Sequence, residues 1–453
     1  MTTSVHTAGA WHLLCLSGPD AASVEARAAR AADLLATGGT PLDALADERP
    51  QPAGRVRRAV LARDEAHGAA LLRGGDPWLV VNGVADPPAL VVLMFPGVGD
   101  QHVGMARELY ERLPLFRAEL DRVSELLAPH LNQDVRELLF PPAQAQAPVG
   151  PAPGPGFRRP QEGAGTGPLV DTRVAQPLVF AVEYCLAKLL TGWGIRPAAL
   201  AGYSVGEYVA ACLAGVLDVE EALALVARRS SLIEDVPPGA MLVAMLSANE
   251  LAPYLGTDLW LAAVNGPHLS VVSGTAPALR GLAGRLHSAG VATLPAPARH
   301  AFHSPLMSPV ERPLRRLLAT VPLAPPAIPV LSNVTGDWLT VADATSPEYW
   351  ARHLCRPVRF AENLARMWAL PHALAVEVGA GQMLASLASQ HPDRPRAPGD
   401  GIALPTLTTR PKEHGEVAVM LRVLAQAWVR GACPKIRATE AAHTPKGPAW
   451  SSH

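Results

Sequence analysis

Two apolar runs, each broken by a glycine turn, constrain this chain more than any other feature. Leu90-Val91-Val92-Leu93-Met94-Phe95 contains no polar residue and runs directly into Pro96-Gly97-Val98-Gly99. A run without alternation fits a strand buried on both faces, as in a parallel sheet. Pro197-Ala198-Ala199-Leu200-Ala201 leads in the same way into Gly202-Tyr203-Ser204-Val205-Gly206, followed by an alanine-rich helical pattern at Tyr208–Leu213. Strand, tight turn and helix in succession predict an α/β domain with a parallel-sheet core.

The rest of the chain is organised around that core. Its 453 residues are 49% hydrophobic, enough for a large buried interior. Residues 1–88 predict a small N-terminal α/β domain, with strands at His12–Ser17, Val56–Ala62 and Trp78–Val81 and a helix at Asp20–Ala36. Residues 89–240 open the main body, with helical patterns at Met105–Leu113, Pro114–Leu131 and Thr172–Trp193. Within it, residues 141–167 are so dense in Pro, Gly, Ala and Gln that a disordered surface excursion is expected.

Residues 241–299 read as strand (Met241–Met245), helix (Ala248–Leu255), strands (Leu259–Val264, Ser270–Ser273), helix (Pro277–Ala289) and strand (Val291–Leu294). That order is a ferredoxin-like unit inserted into the body. The body resumes over 300–407, residues 408–433 carry an amphipathic helix at Val417–Val429, and 434–453 read as a disordered tail.

Composition also narrows the partners. With 39 basic and 40 acidic residues the net charge is -1, so neither nucleic acid nor a membrane surface is expected as a partner. The stretch Trp78–Val98 is interrupted by Asn82, Asp86, Pro87 and Pro88 and does not read as a membrane span. The N-terminus lacks a basic region ahead of its short apolar run, so no signal peptide is expected. Cys15, Cys185, Cys212, Cys355 and Cys433 show no metal-ligand spacing. They read as reduced thiols of a cytoplasmic protein, with no metal site.

The chemistry centres on the pentad Gly202–Gly206. Flanking glycines permit a sharp turn that lifts the serine hydroxyl from the sheet, with the following helix presenting N–H groups to the site. The bland alternative is an ordinary turn with a solvated serine. A nucleophilic serine needs a base, and His300-Ala301-Phe302-His303 offers two imidazoles. Arg228-Arg229 reads either as a solvated face or as a two-pronged grip on a substrate carboxylate. The Phe95–Gly99 turn supplies amides that can meet an oxyanion.

In this order and at this spacing, residues 90–407 resemble the acyltransferase domains of modular polyketide synthases and the malonyl-CoA:acyl carrier protein transacylases. The segments that carry the resemblance are FPGVGDQ (95–101), QPLVFAVEY (176–184), GYSVGEYVAA (202–211), LVARRS (225–230), NGP (265–267), HAFHSPLM (300–307) and EVGAG (377–381). Residues 10–88 and 408–433 resemble the linkers that flank such domains. The resemblance implies a hydrolase-like core, Ser204 as nucleophile, His303 as base and Arg229 as the carboxylate grip. It also implies an oxyanion hole from the Val98 and Val205 amides, with Gln176, Asn265, Phe302 and Tyr203 lining the substrate pocket. The base would be oriented by a backbone carbonyl near 377–381.

The family resemblance further implies a two-step transfer with no cofactor. An acyl-CoA thioester loads Ser204, and the phosphopantetheine thiol of an acyl carrier protein then takes the acyl group. HAFH and Val205 resemble the malonyl-selective pattern, and a ketosynthase is a further expected partner. Tyr203 stands where the family usually has His, and Val98 and Asp100 where it usually has Gln and Ser. Two other readings stay open. One is a serine thioesterase using Asp343 with His353 or His372, and the other a non-catalytic module. With no ketosynthase or carrier domain read in it, the chain is either a discrete enzyme or a piece of a longer synthase; its start at Met1 and its polar tail favour the first.

Overall fold

The computed structural model describes residues 11–38, 41–42, 54–142, 168–397, 399–407 and 414–433. All but Pro141 and Pro142 of the expected excursion, and the whole expected tail, lie outside the described residues.

The N-terminal unit is a three-stranded antiparallel sheet, β1 (His12–Gly18), β2 (Val56–Ala62) and β3 (Val80–Val84), with helices α1 (Ala21–Ala36) and α2 (Glu65–Gly74). Aspartates start both helices. Asp20 accepts the Ser23 N–H at 2.7 Å and Asp64 the His67 N–H at 2.7 Å, which satisfies one of the otherwise orphaned first-turn donors. Strand β3 begins two residues later than the pattern predicts. Asp76 holds Trp78, Leu79 and Val80 in a turn, accepting the Trp78 N–H on Oδ1 and the other two on its carbonyl. Helix α2 escaped the sequence reading because its buried face is only Gly68, Ala69, Leu71 and Leu72.

The body holds a five-stranded, all-parallel sheet. In chain order its first part is β4 (Leu90–Phe95), α3 (Arg107–Arg112), α4 (Pro114–Leu131), α5 (Val135–Leu139), α6 (Thr172–Gly192), β5 (Pro197–Gly202), α7 (Gly206–Leu213) and α8 (Val219–Glu234). Between Val91 and Phe95, strand β4 has every residue essentially buried, as its unbroken apolar run requires. Helix α6 is long and apolar enough to cross a membrane, but most of it is buried inside the protein.

The inserted unit follows as β6 (Ala240–Ala244), α9 (Ala248–Leu251), β7 (Leu259–Gly266), β8 (Leu269–Gly274), α10 (Ala276–Ser288) and β9 (Thr293–Ala296). Its antiparallel sheet has the order β7-β8-β6-β9, the ferredoxin-like arrangement. Two boundaries differ from the sequence reading for local reasons. Helix α9 stops at Leu251 and tightens into a 3-10 turn over Ala252–Tyr254, which contains Pro253. Strand β9 starts late because Gly290 and Val291 still close α10, donating to His287 and Leu286 carbonyls at 2.9 Å each.

The chain returns to the body through α11 (Ser308–Leu318), β10 (Val330–Leu331), α12 (Val341–Ala344), α13 (Pro347–Arg352), α14 (Phe360–Trp368), β11 (Ala373–Ala380), α15 (Met383–Gln390) and β12 (Ile402–Leu407). The parallel sheet runs β10-β5-β4-β11-β12. Helix α16 (Gly415–Val429) then packs on both β2 and β12, so one apolar core spans the N-terminal unit and the body. Arg57 of β2 donates to the Trp428 carbonyl at 2.7 Å. Glu416 and Glu108 cap each other's helix: Glu416 accepts the Ala106 and Glu108 N–H groups, and Glu108 accepts those of Glu416 and Val417.

Candidate active site

The site is built where β4 and β5 end. Phe95 and Gly202 are register partners, so the 96–99 turn and the serine turn emerge side by side at the carboxyl edge of the sheet, where α/β folds bind ligands. The pentad glycines are needed for close approach. A Cβ on Gly206 would stand 2.1 Å from the Phe95 carbonyl oxygen, and one on Gly202 would stand 2.1 Å from the Glu207 nitrogen. Between them Ser204 takes a left-handed backbone, φ 55°, a conformation that costs a serine about 1–3 kcal/mol and needs support from its surroundings. Part of that support comes from Asn333, whose Oδ1 accepts the Ser204 N–H at 2.7 Å while its Nδ2 donates to the Gly202 carbonyl at 2.6 Å.

His303 meets the serine from the turn that follows the inserted unit. Its Nε2 lies 2.8 Å from Ser204 Oγ, and its Nδ1 lies 3.0 Å from the Arg356 carbonyl oxygen. A carbonyl only accepts, so Nδ1 carries the ring proton and Nε2 is left free to take one from the hydroxyl. The carbonyl is the kind of partner the resemblance implies, but it comes from Arg356 and not from 377–381. At that expected position the chain is already engaged: the Gly379 N–H donates to Thr406 Oγ1, and Glu377 accepts the Ala385 N–H. Burial, with His353 and Arg229 nearby, pushes the His303 imidazole down to about 3. The ring is therefore neutral at rest.

Arg229 is fully buried on α8, whereas Arg228 is exposed. One guanidinium nitrogen, Nη1, donates to Gln176 Oε1, and the group sits 5.3 Å over the Tyr208 ring. Its Nε and Nη2 are buried with no hydrogen-bond partner among the described residues. Burial holds this arginine below its ordinary range. A buried guanidinium with two open donors is costly unless something carboxylate-like completes it.

The N–H groups of Val98 and Val205 have no acceptor among the described residues. The turn bearing Val98 is fixed from below, because the Gly97 N–H donates to Glu183 Oε1 at 2.8 Å. Tyr203 packs edge-on against Phe360, centroids 5.3 Å apart, and burial pushes its phenol up to about 12 against a smaller opposing pull from Asn265. Asn265 is buried on β7 with Oδ1 unpartnered among the described residues. Phe302, half-buried beside the base, has its carbonyl held by Ser273 Oγ of β8.

Of the two histidines in the 300–303 turn, His300 faces Glu234 at 3.7 Å and not the serine. The acid–histidine pair suggested for the thioesterase alternative does not assemble. Asp343 is bound to Thr340 on exposed α12, His372 to Asp400, and His353 to Glu207. Asn333 and Glu183 have positioning roles that the sequence did not reveal. A lone Asn past a strand end carries no spacing signal, and Glu183, though inside the 176–184 segment, has nothing beside it in the sequence to mark its partner, the Gly97 N–H. Among the described residues no group of His, Cys, Asp and Glu side chains is placed to hold a metal ion.

Known proteins resemble this chain in sequence and fold. A family profile described as the acyl transferase domain matches residues 92–419. A phenolphthiocerol/phthiocerol polyketide synthase of Mycobacterium tuberculosis is 34% identical over 398 residues, 84% of this chain. The match takes in 25% of that protein, so this chain spans about a quarter of the relative's length. Among solved structures, the acyl transferase domain of SpnD in complex with 2-(pent-4-yn-1-yl)malonyl superposes with a TM-score of 0.81 at 33% identity, covering 94% of this chain and 98% of that one. The malonyl CoA-acyl carrier protein transacylase of Burkholderia pseudomallei gives 0.55 at 27% identity, covering 66% of this chain and 96% of its own. This chain belongs to the acyl transferase domain family, which takes in both the acyltransferase domains of polyketide synthases and the malonyl-CoA:acyl carrier protein transacylases.

Proposed function

We propose that this chain moves a malonyl group from coenzyme A to the phosphopantetheine thiol of an acyl carrier protein, through an ester on Ser204, in polyketide assembly. The observation that carries the reading is a conjunction. A serine and a neutral histidine stand 2.8 Å apart in the same buried site as an arginine with two open donors.

In the first step Ser204 Oγ attacks the thioester carbonyl while His303 Nε2 takes its proton. The Val98 and Val205 amides hold the tetrahedral oxyanion. As it collapses, the coenzyme A sulfur leaves with the proton from His303, and the acyl-serine remains. In the second step the carrier's thiol attacks that ester, His303 takes the thiol proton, and Ser204 Oγ leaves with it. Arg229 grips the far carboxylate of the acyl group, and Gln176 holds the guanidinium from the other side.

Likeness to a domain solved with a substituted malonyl group supports a malonyl-type head. The choice of unbranched malonyl rests on Phe302 beside the base and Val205 after the nucleophile. One methyl group in such a pocket is worth only about 1–3 kcal/mol of discrimination. The carrier protein, and a ketosynthase as its next station, are the partners this chemistry calls for. The test is the intact mass of the protein after exposure to malonyl-CoA. A single malonyl adduct is expected on the native chain and none on Ser204→Ala; a bare native protein, or an adduct that survives the substitution, overturns the reading.

A further inference from the structure

The nucleophile and the base sit on chain segments 99 residues apart, and both have left-handed backbones, Ser204 at φ 55° and His303 at φ 58°. Neither conformation is self-supporting. A buried polar frame beneath the two residues fixes them relative to each other.

Glu207, in the first turn of α7, is fully buried, and its carboxylate is turned toward three donors from outside its own helix. Oε2 accepts the Asn333 backbone N–H at 2.7 Å, with His353 Nε2 at 3.2 Å, and Oε1 accepts the Tyr349 hydroxyl. Asn333 is the residue whose side chain pins the Ser204 N–H and the Gly202 carbonyl. Tyr349 lies on α13, and His353 just after it. The next few residues supply both backbone acceptors of the base: the Leu354 carbonyl takes the His303 N–H at 2.9 Å and the Arg356 carbonyl faces Nδ1 at 3.0 Å. The His353 ring itself packs edge-on against His303, centroids 5.9 Å apart. Ser332 Oγ closes the frame, 2.5 Å from the Tyr349 hydroxyl and accepting the Val334 and Thr335 N–H groups.

We infer that Glu207 is a positioning residue which fastens the serine turn and the 3-10 turn backing the histidine (His353–Cys355) to one carboxylate, and so sets the distance between Ser204 Oγ and His303 Nε2. It touches neither substrate nor reacting atoms. The inference rests on reading Ser204 and His303 as nucleophile and base, and not on which acyl group is carried.

The experiment uses a fluorophosphonate probe, which reports serine reactivity whatever the natural acyl donor, alongside loading from malonyl-CoA. In Glu207→Ala the probe should label Ser204 about 100-fold more slowly, the order of loss that misplacement by an ångström causes. The malonyl-CoA concentration for half-maximal loading should stay within about twofold, because the Arg229 side of the site is untouched. Glu207→Gln should recover most of the rate: its carbonyl still accepts from Asn333, and the Tyr349 hydroxyl can turn to accept from its amide. Should the alanine variant not fold, Tyr349→Phe removes one donor at nearly constant volume and should slow labelling about 3- to 10-fold. Labelling at the native rate in Glu207→Ala, or in Tyr349→Phe where that variant carries the test, overturns the inference; so does a parallel loss of malonyl-CoA affinity. A native protein that the probe does not label at all refutes the nucleophile itself. Normal labelling without malonyl loading refutes only the proposed substrate.

Discussion

Replacing Arg229 by Met separates the acyl-recognition role of the site from its chemistry. The native guanidinium has one donor on Gln176 and two, Nε and Nη2, without a partner among the described residues. A malonyl carboxylate meeting both forms two charge-assisted hydrogen bonds, worth about 1.5–3 kcal/mol each when buried. Losing both costs about 3–6 kcal/mol, or roughly 10²- to 10⁴-fold in kcat/KM for malonyl-CoA. Acetyl-CoA has no such carboxylate, and its loading should change by less than about threefold. The same substitution should raise the thermal midpoint, because it removes a buried cation that the free protein satisfies only in part. A gain of about 1–3 kcal/mol is expected, in line with replacing buried charge by apolar volume. Intact-mass time courses with the two thioesters and a thermal melt read these effects directly. Equal losses with both donors, or a lower midpoint, would refute the assignment of Arg229 as a carboxylate grip held at the expense of stability.

Other consequences stem from burial and close approach. An imidazole at its ordinary value of about 6.5 is only about 3% neutral at pH 5, but His303 is pushed down to about 3. The acylation rate should therefore stay level from pH 8 to pH 5, and an inflection near pH 6.5 would contradict the buried neutral base. The same depression sets the sign for stability. Between about 6.5 and 3 the unfolded chain takes up a proton that the folded one refuses, so stability falls as the pH falls through that window. Chemical denaturation at pH 7 and pH 5 should show a shallower fall in His303→Gln than in the native chain. Gly206→Ala sets a Cβ 2.1 Å from the backbone oxygen of Phe95 and should cost on the order of 3–5 kcal/mol. Gly281→Ala, on α10 with open space around it, should instead stabilise by about 0.5–1 kcal/mol. Denaturant midpoints for the pair test whether the pentad's glycines serve close approach.

How much of this was readable beforehand depends on where each contact stores its information. The strands β4 and β5 were legible because burial on both faces leaves no polar residue in the run. The trio Ser204, His303 and Arg229 was legible because it sits in segments whose order and spacing resemble a family. The same resemblance did not identify the carbonyl that orients His303. Every residue has a carbonyl, so Arg356 left no mark in the amino-acid string, and the expected 377–381 segment was already committed to β12 and α15. Although the two glutamates lie inside segments that carry the resemblance, the partners of Asn333, Glu183 and Glu207 were hidden for a related reason. Each is a single polar residue whose partners are backbone groups or distant side chains, and only the assembled fold brings them together. At the edges of the inserted unit, capping geometry decided the boundaries: α10 closes through Gly290 and Val291, which delays β9 in a way apolar spacing alone does not reveal.

In the proposed reaction the ester on Ser204 passes to a thiol and not to water. The most direct measurement loads the protein with labelled malonyl-CoA, removes the excess thioester, adds saturating phosphopantetheinylated carrier protein, and tracks the label over a single turnover. Label should leave Ser204 chiefly onto the carrier thiol, faster than it is lost when carrier is omitted. Release as free malonate with carrier saturating would contradict that claim.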